Sequence, residues 1–310
     1  MIKFSKPLLV ASLIAAAFSA NAQYSGGGTY GSGSYGGGSY GDSGSCESGD
    51  GSRRSSSLQV VGLTDDQRLI CFNERNPGDA RNLGFVSGLM GDTKLIGIDF
   101  RVQDRLMYGV GDKGGVYRID TRNAAATKVS QLTATLAGTS FGVDFNPAAD
   151  RLRIVSDTGQ NLRHNINAGG VTLTDDPLDY PTAINTPGPI AIGVTGSAYT
   201  NNDLDPTTAT TLYALDTRLD QIAIQSPPND GTLAATGKLT VDTIASVGFD
   251  IYSTIRDGVT VAVQSLASLQ TADGAISLYS VSLPTGKAAT RGSFAAGNKV
   301  TDIAIPLNQL

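Results

Sequence analysis

The sequence is poor in the residues from which many functional sites are built. Its 310 residues include one histidine, two cysteines and no tryptophan; 6% are aromatic and 16% are charged. So few histidines and cysteines argue against a zinc site, which takes three or four protein ligands, most often of these two types. Two cysteines also exclude a scaffold built from several disulfides. The formal net charge of −5 argues against nucleic acid as a partner, because nucleic-acid-binding domains carry a basic surface.

The most prominent apolar run of the chain lies at its N terminus. Residues 8–18 are mainly apolar, follow Lys3 and Lys6, and precede the small residues Ala20 and Ala22. The run is too short for a membrane span, which needs about 20 residues. A basic start, an apolar run and a small-residue site in this order are typical of a signal peptide. We therefore predict a signal peptide at 1–22, no transmembrane segment, and export to the periplasm or the extracellular space.

Residues 23–57 differ in composition from the rest of the chain. This segment contains 12 Gly, 11 Ser and 4 Tyr, and it shows no apolar periodicity. A segment without apolar residues to bury cannot offset the conformational entropy lost on ordering. We therefore interpret 23–57 as a disordered Gly/Ser/Tyr-rich tail and 58–310 as the folded domain.

A repeat runs through residues 58–310. The order Gly-x-Asp-Phe, then Asp-Arg-Leu, then an apolar strand begins at Gly97 and again at Gly142. Looser copies begin at Gly193, Gly248 and Val300, so the spacings are 45, 51, 55 and 52 residues. Each copy contains short runs of Val, Ile, Leu, Tyr and Phe, bounded by Gly, Asn, Asp and Pro. This pattern predicts strands and tight turns.

The fifth copy of the repeat is divided between the two ends of the domain. Residues 58–89 match the last three strands of the copy that begins at Gly97, whereas 300–306 supply a first strand alone. Four short strands in about 50 residues are typical of a β-propeller blade. The sequence therefore predicts an all-β, five-bladed β-propeller closed by a permuted blade, in which the C-terminal strand joins the N-terminal strands. A parallel β-helix is the alternative fold, but its coils are usually shorter and need no permuted unit.

Three segments resemble a bacterial family known as domain of unknown function 4394. The longest is GVDFNPAADRLRIVSDTGQNLR at 142–163, and the others are AYTNN at 198–202 and PPNDGTL at 227–233. The resemblance covers about residues 58–307. It implies an exported, propeller-like domain and supplies no catalytic or ligand-binding residue.

An aspartate recurs at one position of the first strand of the repeat. It is present in four copies, as Asp99, Asp144, Asp250 and Asp302, and Thr195 takes its place in the third copy. If these strands line a central channel, the carboxylates could bind Ca²⁺, which prefers oxygen ligands, or cleave a glycosidic bond as a pair. Alternatively, each carboxylate accepts backbone N–H bonds from the next blade, since a position repeated in every unit favours a structural role.

Two acidic loops are further candidates for Ca²⁺. One contains Asp175, Asp176 and Asp179, and the other is NNDLD at 201–205. Neither has the glycine and the distant glutamate of an EF-hand loop. Because Asn and Asp favour turns by bonding nearby backbone groups, solvated turns are the simpler interpretation.

Other polar residues of the repeat predict turns or packing. Asn73, Asp120 and Asp216 are expected to end third strands, each two residues before an arginine, and a turn explains this spacing. His164 is the only histidine that could serve a serine nucleophile. The serine motifs that resemble a nucleophile elbow lack the strand–turn–helix context, so we expect His164 to be an ordinary strand residue.

The functional prediction follows from these candidates. Cys46 and Cys71 would meet oxidising conditions after export, so a disulfide could join the tail to the domain. The sequence shows no complete catalytic set. We predict an exported β-propeller that acts as a non-enzymatic binding or surface-associated module for a small molecule, a glycan or a protein. The alternative is a carboxylate-based hydrolase of a carbohydrate or a related polymer, with Ca²⁺ as the one cofactor considered.

Overall fold

The computed structural model describes residue 46 and residues 57–183, 186–205, 208–244, 247–307 and 309. These residues form five antiparallel sheets of four strands each. The predicted signal peptide lies outside the described residues, and so does the predicted tail except for Cys46 and Ser57. The described part of the chain has no helix with the length and apolar character needed to cross a membrane.

Each sheet is one blade of a propeller. The first blade contains β1 (Gln59–Thr64), β2 (Arg68–Asn73) and β3 (Asn76–Phe85). The second contains β4 (Leu95–Phe100), β5 (Met107–Gly111), β6 (Gly115–Asp120) and β7 (Ala125–Gln131). The third contains β8 (Phe141–Asn146), β9 (Arg151–Ser156), β10 (Asn161–His164) and β11 (Thr172–Thr174). The fourth contains β12 (Val194–Tyr199), β13 (Leu212–Asp216), β14 (Gln221–Gln225) and β15 (Leu233–Lys238). The fifth contains β16 (Gly248–Arg256), β17 (Val259–Gln270), β18 (Ile276–Val281) and β19 (Ala288–Ser293), and β20 (Val300–Ala304) completes the first.

The permuted blade closes the propeller. Strand β20 pairs antiparallel with β1, and Ala304 lies opposite Val61. Strands β4, β8, β12, β16 and β20 contact one another in that order, and β20 contacts β4 again, so these five first strands form a closed inner ring. The predicted five-bladed fold and its mode of closure are therefore confirmed. Closure gives β1 its partner strand, so the first blade has four strands like the other blades.

The hydrophobic core is divided into five parts, and each part lies between two adjacent blades. Between the second and third blades, the rings of Tyr108 and Phe145 meet edge to face, with centroids 5.4 Å apart. Because both faces of a blade pack on neighbours, a strand near the axis can be buried along its whole length. All residues of β5 and β12 are buried for this reason.

One strand assignment from the sequence is wrong. Residues 212–216 were expected to form a third strand, but they form β13, the second strand of the fourth blade. The third strand is β14, which begins at Gln221. Both strands share an apolar pattern, and the connection from Tyr199 to Leu212 is longer than in other blades. The repeat pattern alone therefore could not distinguish one strand from the next.

Candidate functional site

The four recurring aspartates lie on the inner ring and are almost completely buried. Their exposed fractions are 7% for Asp99, 4% for Asp144, 6% for Asp250 and 5% for Asp302. Strands β4, β8, β16 and β20 carry one each. The structure thus brings together all four residues that the repeat singled out, at the inner ends of the blades.

Strand register corrects the assignment of the third copy. A β-bulge follows the first residue of both β4 and β12, and after it Gly97 and Gly196 occupy the same place. Asp99 then corresponds to Ala198, because they pair with Tyr108 and Tyr213 respectively. The expectation that Thr195 takes the aspartate position is therefore wrong. The repeat in the sequence matches Gly193 with Gly97, whereas the strand register matches Gly196 with Gly97, three residues further along the chain.

The strand register also places Asp302 two residues before the recurring position of its strand. Ala304 lies opposite Val61, just as Asp99 lies opposite Tyr108, so Ala304 takes the recurring position. Asp302 instead occupies the place of Gly97. Both positions point to the same side of the strand, because side chains alternate with a period of two. Three blades therefore carry an aspartate at the recurring position, two carry an alanine, and Asp302 adds a carboxylate nearby.

Each of the three equivalent aspartates bonds to the next blade. Oδ2 of Asp99 accepts the backbone N–H of Phe145 at 2.7 Å. Oδ1 of Asp144 accepts that of Tyr199 at 3.2 Å. Oδ2 of Asp250 accepts that of Ile305 at 2.6 Å, across the closure of the ring. In every case the donor directly follows the recurring position of the next blade.

Ala198 and Ala304 occupy the recurring position in the other two blades, and an alanine has no carboxylate to accept an N–H of the next blade. The next aspartate supplies it instead: Oδ1 of Asp250 accepts the N–H of Ile251 at 2.5 Å. Asp99 likewise accepts the N–H of Phe100. Asp302 adds a bond from the N–H of Ile98 to its Oδ2 at 2.7 Å. The carboxylates therefore pair buried N–H groups that would otherwise be costly to leave unbonded.

The carboxylates also crowd one another. One oxygen each of Asp99, Asp144 and Asp250 lies within 4.8 Å of the others. Burial, together with repulsion between the carboxylates, raises the pKa of Asp99 and Asp144 well above the usual range. Burial raises the pKa of Asp250 to about 6 and that of Asp302 well above its usual range. Such a group needs bound protons or a cation to relieve the repulsion.

Ca²⁺ fits this group in ligand type but only partly in ligand number. Carboxylate oxygens are its preferred ligands, and it takes about six to eight of them. Each of the four aspartates already accepts a backbone N–H from another strand. These bonds occupy one oxygen of every carboxylate in a geometry set by the backbone. A proton bound by one of the carboxylates relieves the repulsion and needs no such set of ligands.

The other residues singled out from the sequence serve local structure. The backbone N–H of Arg75, Arg122 and Arg218 each donates to the side chain two residues earlier at 3.0 Å, so the expected turns form at Asn73, Asp120 and Asp216. Within 201–205, two further bonds of this kind form, from the N–H of residues 203 and 205.

His164 and the cysteines are buried. His164 is 0% exposed, and its ring nitrogens lie 2.8 Å from Oγ of Ser130 and 3.0 Å from Oγ1 of Thr172. Burial lowers its pKa. The contacts are those of a strand residue that joins two blades. Cys46 and Cys71 are joined by a disulfide that ties residue 46 to β2.

A buried ion pair fixes the connection between β11 and β12. Nη1 of Arg153 lies 2.7 Å from Oδ2 of Asp175, and both side chains are at most 5% exposed. Nε of Arg163 lies 2.8 Å from Oδ1 of the same carboxylate. Both oxygens of Asp175 therefore face arginines. This first residue of the predicted acidic loop is neutralised within the protein.

The same arginine also holds the turn between β14 and β15. Nη2 of Arg153 donates to Oδ1 of Asn229 at 2.9 Å, and Nη1 donates to Oδ1 of Asn161 at 2.7 Å. Nδ2 of Asn161 donates to the carbonyl of Pro228 at 3.0 Å. Sequence reasoning missed this network. Its signal was the two segments 142–163 and 227–233, whose side chains meet here.

A cleft of about 670 Å³ lies between this connection and this turn. Asp179 joins the two walls: its N–H donates to the carbonyl of Gly231 at 3.0 Å, and its carbonyl accepts the N–H of Leu233 at 2.8 Å. Its Oδ2 also accepts the N–H of Gly188. Four of the 12 prolines of the chain are among the lining residues, which are Asp176, Pro177, Asp179, Pro181, Thr186, Pro187, Gly188, Ile190, Pro227, Asp230 and Thr232.

The fold and the ring define the class of the protein as a five-bladed β-propeller whose blades are joined by buried carboxylates. The chain belongs to the family described as Domain of unknown function (DUF4394), which it matches over residues 68–304. This match confirms the resemblance seen in the sequence. No curated protein matches the chain.

Three solved structures are distantly similar to the chain. An auxiliary nutrient binding protein from Bacteroides ovatus is 11% identical, with a TM-score of 0.37 over 57% of this chain and 46% of that one. A structural genomics protein of unknown function from Bacteroides thetaiotaomicron is 14% identical, with a TM-score of 0.39 over 75% and 57%. PorZ, a bacterial surface component of the type-IX secretion system of Porphyromonas gingivalis, is 16% identical, with a TM-score of 0.36 over 76% and 28%. The chain thus spans about half or less of the length of these proteins, and such similarity transfers no function.

Proposed function

We propose that this protein is an exported, non-enzymatic binding module and that the cleft beside the β14–β15 turn is its ligand site. The observation that carries the proposal is the cleft itself. Its volume of about 670 Å³ lies in the range of about 300–1,000 Å³ usual for small-molecule sites. A small molecule, one unit of a glycan or a side chain of a protein partner would fit this volume.

The walls of the cleft support a binding role because they are held in place before any ligand arrives. Arg153 bonds to both segments that form the walls, to the β11–β12 connection at Asp175 and to the β14–β15 turn at Asn229. The proline rings fix the backbone dihedral φ at four lining positions. A site that is already ordered loses little conformational entropy on binding, and affinity rises accordingly.

The alternative, a carboxylate-based hydrolase, is less well supported. The separation of at most 4.8 Å between Asp99, Asp144 and Asp250 is close to the roughly 5–5.5 Å of a retaining glycosidase, so distance does not argue against it. Burial does, because no more than 7% of any of these residues is exposed and a polymer must reach both carboxyl groups. Their bonds to backbone N–H groups account for them as structural residues.

Export is the second part of the proposal. It is supported by the N-terminal order of basic, apolar and small residues, which is typical of a signal peptide. The disulfide between Cys46 and Cys71 agrees with it, since disulfides persist in the periplasm and outside the cell.

A cleft-filling variant tests the ligand site. Ile190 lines the cleft and is 54% exposed, so Ile190→Trp should fill part of the volume without disturbing the core. Saturation-transfer NMR against a library of small fragments and soluble glycans should give ligands that bind the wild type and not this variant. Val129→Trp, at a site on β7 that is 43% exposed, is the matched control and should retain binding. Ligands that bind all three proteins equally would contradict the proposal.

A further inference from the structure

We propose that two copies of this chain pair through the outer edge of β17 and form a symmetric dimer. This surface lies on the fifth blade and does not depend on the proposed ligand site, which lies between the β11–β12 connection and the β14–β15 turn. The proposal is carried by an unpaired length of strand, by the lack of charge along it, and by a tip and a notch of opposite charge beside it.

A two-stranded ribbon extends from the fifth blade. Strands β16 and β17 have 9 and 12 residues, whereas β4, β8 and β12 have 6 each. Strand β18 pairs with β17 only from Leu266 onward, so no described strand pairs with residues 259–264 on that side. Asp257 and Gly258 close the ribbon with φ of 52° and 74°, as in the tight turns of β-hairpins. The ribbon therefore presents one free edge, at residues 259–264.

The fourth blade holds the other edge of the ribbon at its base. The backbone N–H of Asn201 donates to Oγ of Ser253 at 2.9 Å, and Nδ2 of Asn202 donates to the carbonyl of the same serine at 3.1 Å. A strand that is ordered before association loses little conformational entropy when it pairs. The free edge of β17 is thus prepared for a further strand.

The free edge lacks the charges and prolines by which proteins usually prevent strand edges from pairing. Residues 259–264 have the sequence VTVAVQ. None of them is buried, and the three valines are between 43% and 62% exposed. The register shift between Thr254 and Ile255 lies in the pairing with β16 and leaves this edge without a partner. Unpaired backbone N–H and C=O groups beside apolar side chains favour the addition of a strand.

A positively charged notch of about 420 Å³ lies where β18 ends beside this edge. Its lining contains two cations, Lys287 and Arg291, and no Asp or Glu. Nη2 of Arg291 lies 3.5 Å from Oε2 of Glu74, which lies outside the lining. Among the described residues, the lysines in ion pairs are Lys113 and Lys299. The charge of Lys287 therefore has no carboxylate partner within one copy.

A second copy supplies the matching anion. When two free edges pair antiparallel along 259–264, the tip of each ribbon reaches the end of β18 in the other copy and enters the notch. The tip carries the exposed carboxylate of Asp257, which would face Lys287 of the other copy, whereas Arg256 lies on β16, one strand further from the contact. A two-fold symmetric contact forms this ion pair twice. One molecule carries both halves of the contact, which favours a second copy over an unrelated strand.

Sedimentation velocity of the folded full chain tests for the dimer. Concentrations up to about 1 mM are needed, because small interfaces are weak. The sedimentation coefficient should rise with concentration toward that of a dimer. Val261→Lys should weaken dimerisation at least tenfold, because it places a charge from each copy at the centre of the contact. The matched control is Val129→Lys on β7, where the valine is 43% exposed, and it should leave dimerisation unchanged.

A double-mutant cycle tests the contact between tip and notch. Asp257→Asn and Lys287→Gln should each weaken dimerisation about fivefold, as expected for the loss of two exposed ion pairs. The double variant should dimerise no more weakly than either single variant, because both changes remove the same contact. Asparagine tolerates the positive φ of residue 257, so the turn is retained. NaCl should weaken the wild-type dimer more than that of the double variant.

Hydrogen exchange locates the contact. Backbone N–H groups within 259–264 should exchange more slowly at concentrations at which the dimer forms, whereas those of β7 should not change. A chain that remains monomeric at about 1 mM would overturn the proposal. A dimer that is insensitive to Val261→Lys, or in which 259–264 exchanges as fast as in the monomer, would also overturn it. Additive effects of Asp257→Asn and Lys287→Gln would contradict the contact between tip and notch.

Discussion

Asp250 on β16 accepts the backbone N–H of Ile305 at 2.6 Å, and the two residues are 55 positions apart in the chain. This bond joins the fifth blade to the first. The equivalent bonds of Asp99 and Asp144 join the second blade to the third and the third to the fourth. One side-chain position therefore performs the same task at three of the five blade interfaces, although the chain must close on itself at only one of them.

Closure of the ring predicts that the last strand stabilises the whole domain. Deletion of residues 300–310 removes Val300, Ile303 and Ile305, which are at most 2% exposed. At roughly 1.5–3 kcal/mol for each buried aliphatic side chain, the free energy of unfolding should fall by about 5 kcal/mol or more. Urea unfolding followed by circular dichroism measures it. Deletion of residues 23–42 is the control, and equal stability of the two deletions would contradict closure through β20.

The crowded carboxylates predict an unusual pH dependence. Asp250 has a pKa of about 6 in the folded protein against an ordinary value of 3.8. The folded state therefore binds this proton more tightly than the unfolded state. The contribution to stability is complete below pH 3.8 and is lost as the pH rises through about 6.

Asp250→Asn removes the titrating group. Its amide oxygen can accept from Ile305, but its NH2 cannot accept from Ile251, and the loss of that bond lowers stability equally at every pH. The stability of the wild type relative to the variant should fall by about 2.5 kcal/mol between pH 4 and pH 8. Urea unfolding at each pH measures this difference. Asp273→Asn, on the exposed β17–β18 turn, is the control; a hydrogen bond from Thr271 lowers the pKa of Asp273, so its curve should not fall in this window. A difference for Asp250→Asn that does not change with pH would contradict the assignment.

Millimolar Ca²⁺ should leave the melting temperature at pH 8 within about 1 °C of its value in chelator, because a ligand stabilises only if it binds the folded state. The physical reason is that each aspartate of the group already accepts a backbone N–H from another strand. A melting temperature that rises with Ca²⁺ concentration, and does so less in Asp144→Asn, would instead place the cation among these carboxylates.

The inner strands approach each other so closely at Gly142 that a larger residue there should destabilise the protein. A Cβ at this position would lie 2.6 Å from the backbone nitrogen of Ser197 on the next blade, and neither strand can move without opening the ring. Gly142→Ala should therefore cost about 3 kcal/mol or more, at the upper end of the cost of overpacking. The control is Gly78→Ala on β3, where the nearest atom is a carbonyl at 3.2 Å. Similar melting temperatures for the two variants would contradict close packing of the ring.

The disulfide predicts a stability difference between oxidised and reduced protein. Cys46 and Cys71 are 25 residues apart, and a loop of this size constrains the unfolded chain by about 3–4 kcal/mol. The double variant Cys46→Ser, Cys71→Ser should lose about this much. Mass spectrometry after alkylation without reduction checks the bond directly, and two labelled thiols in protein purified from an oxidising compartment would contradict it.

The repeat contained enough information to predict the blades and their permuted closure, because each strand needs its own apolar run and each turn its own Gly, Asn or Asp. The repeat did not specify the register in which the strands pair. The strand register places Ala198, three residues beyond Thr195, at the aspartate position. A shift of two residues moves Asp302 to the place of a glycine. Such shifts keep the composition of a strand and change only what it faces.

The sequence by itself therefore determined the class of fold, the number of blades and the residues that meet on the inner ring. Only the tertiary structure decided what those residues do. Asp99 could have faced a substrate or a backbone N–H, and the approach of Phe145 from the next blade settles which. The cleft arises in the same way: Arg153 lies 22 residues from Asp175 and 76 from Asn229. No local pattern encodes that meeting, because it depends on how the third and fourth blades pack.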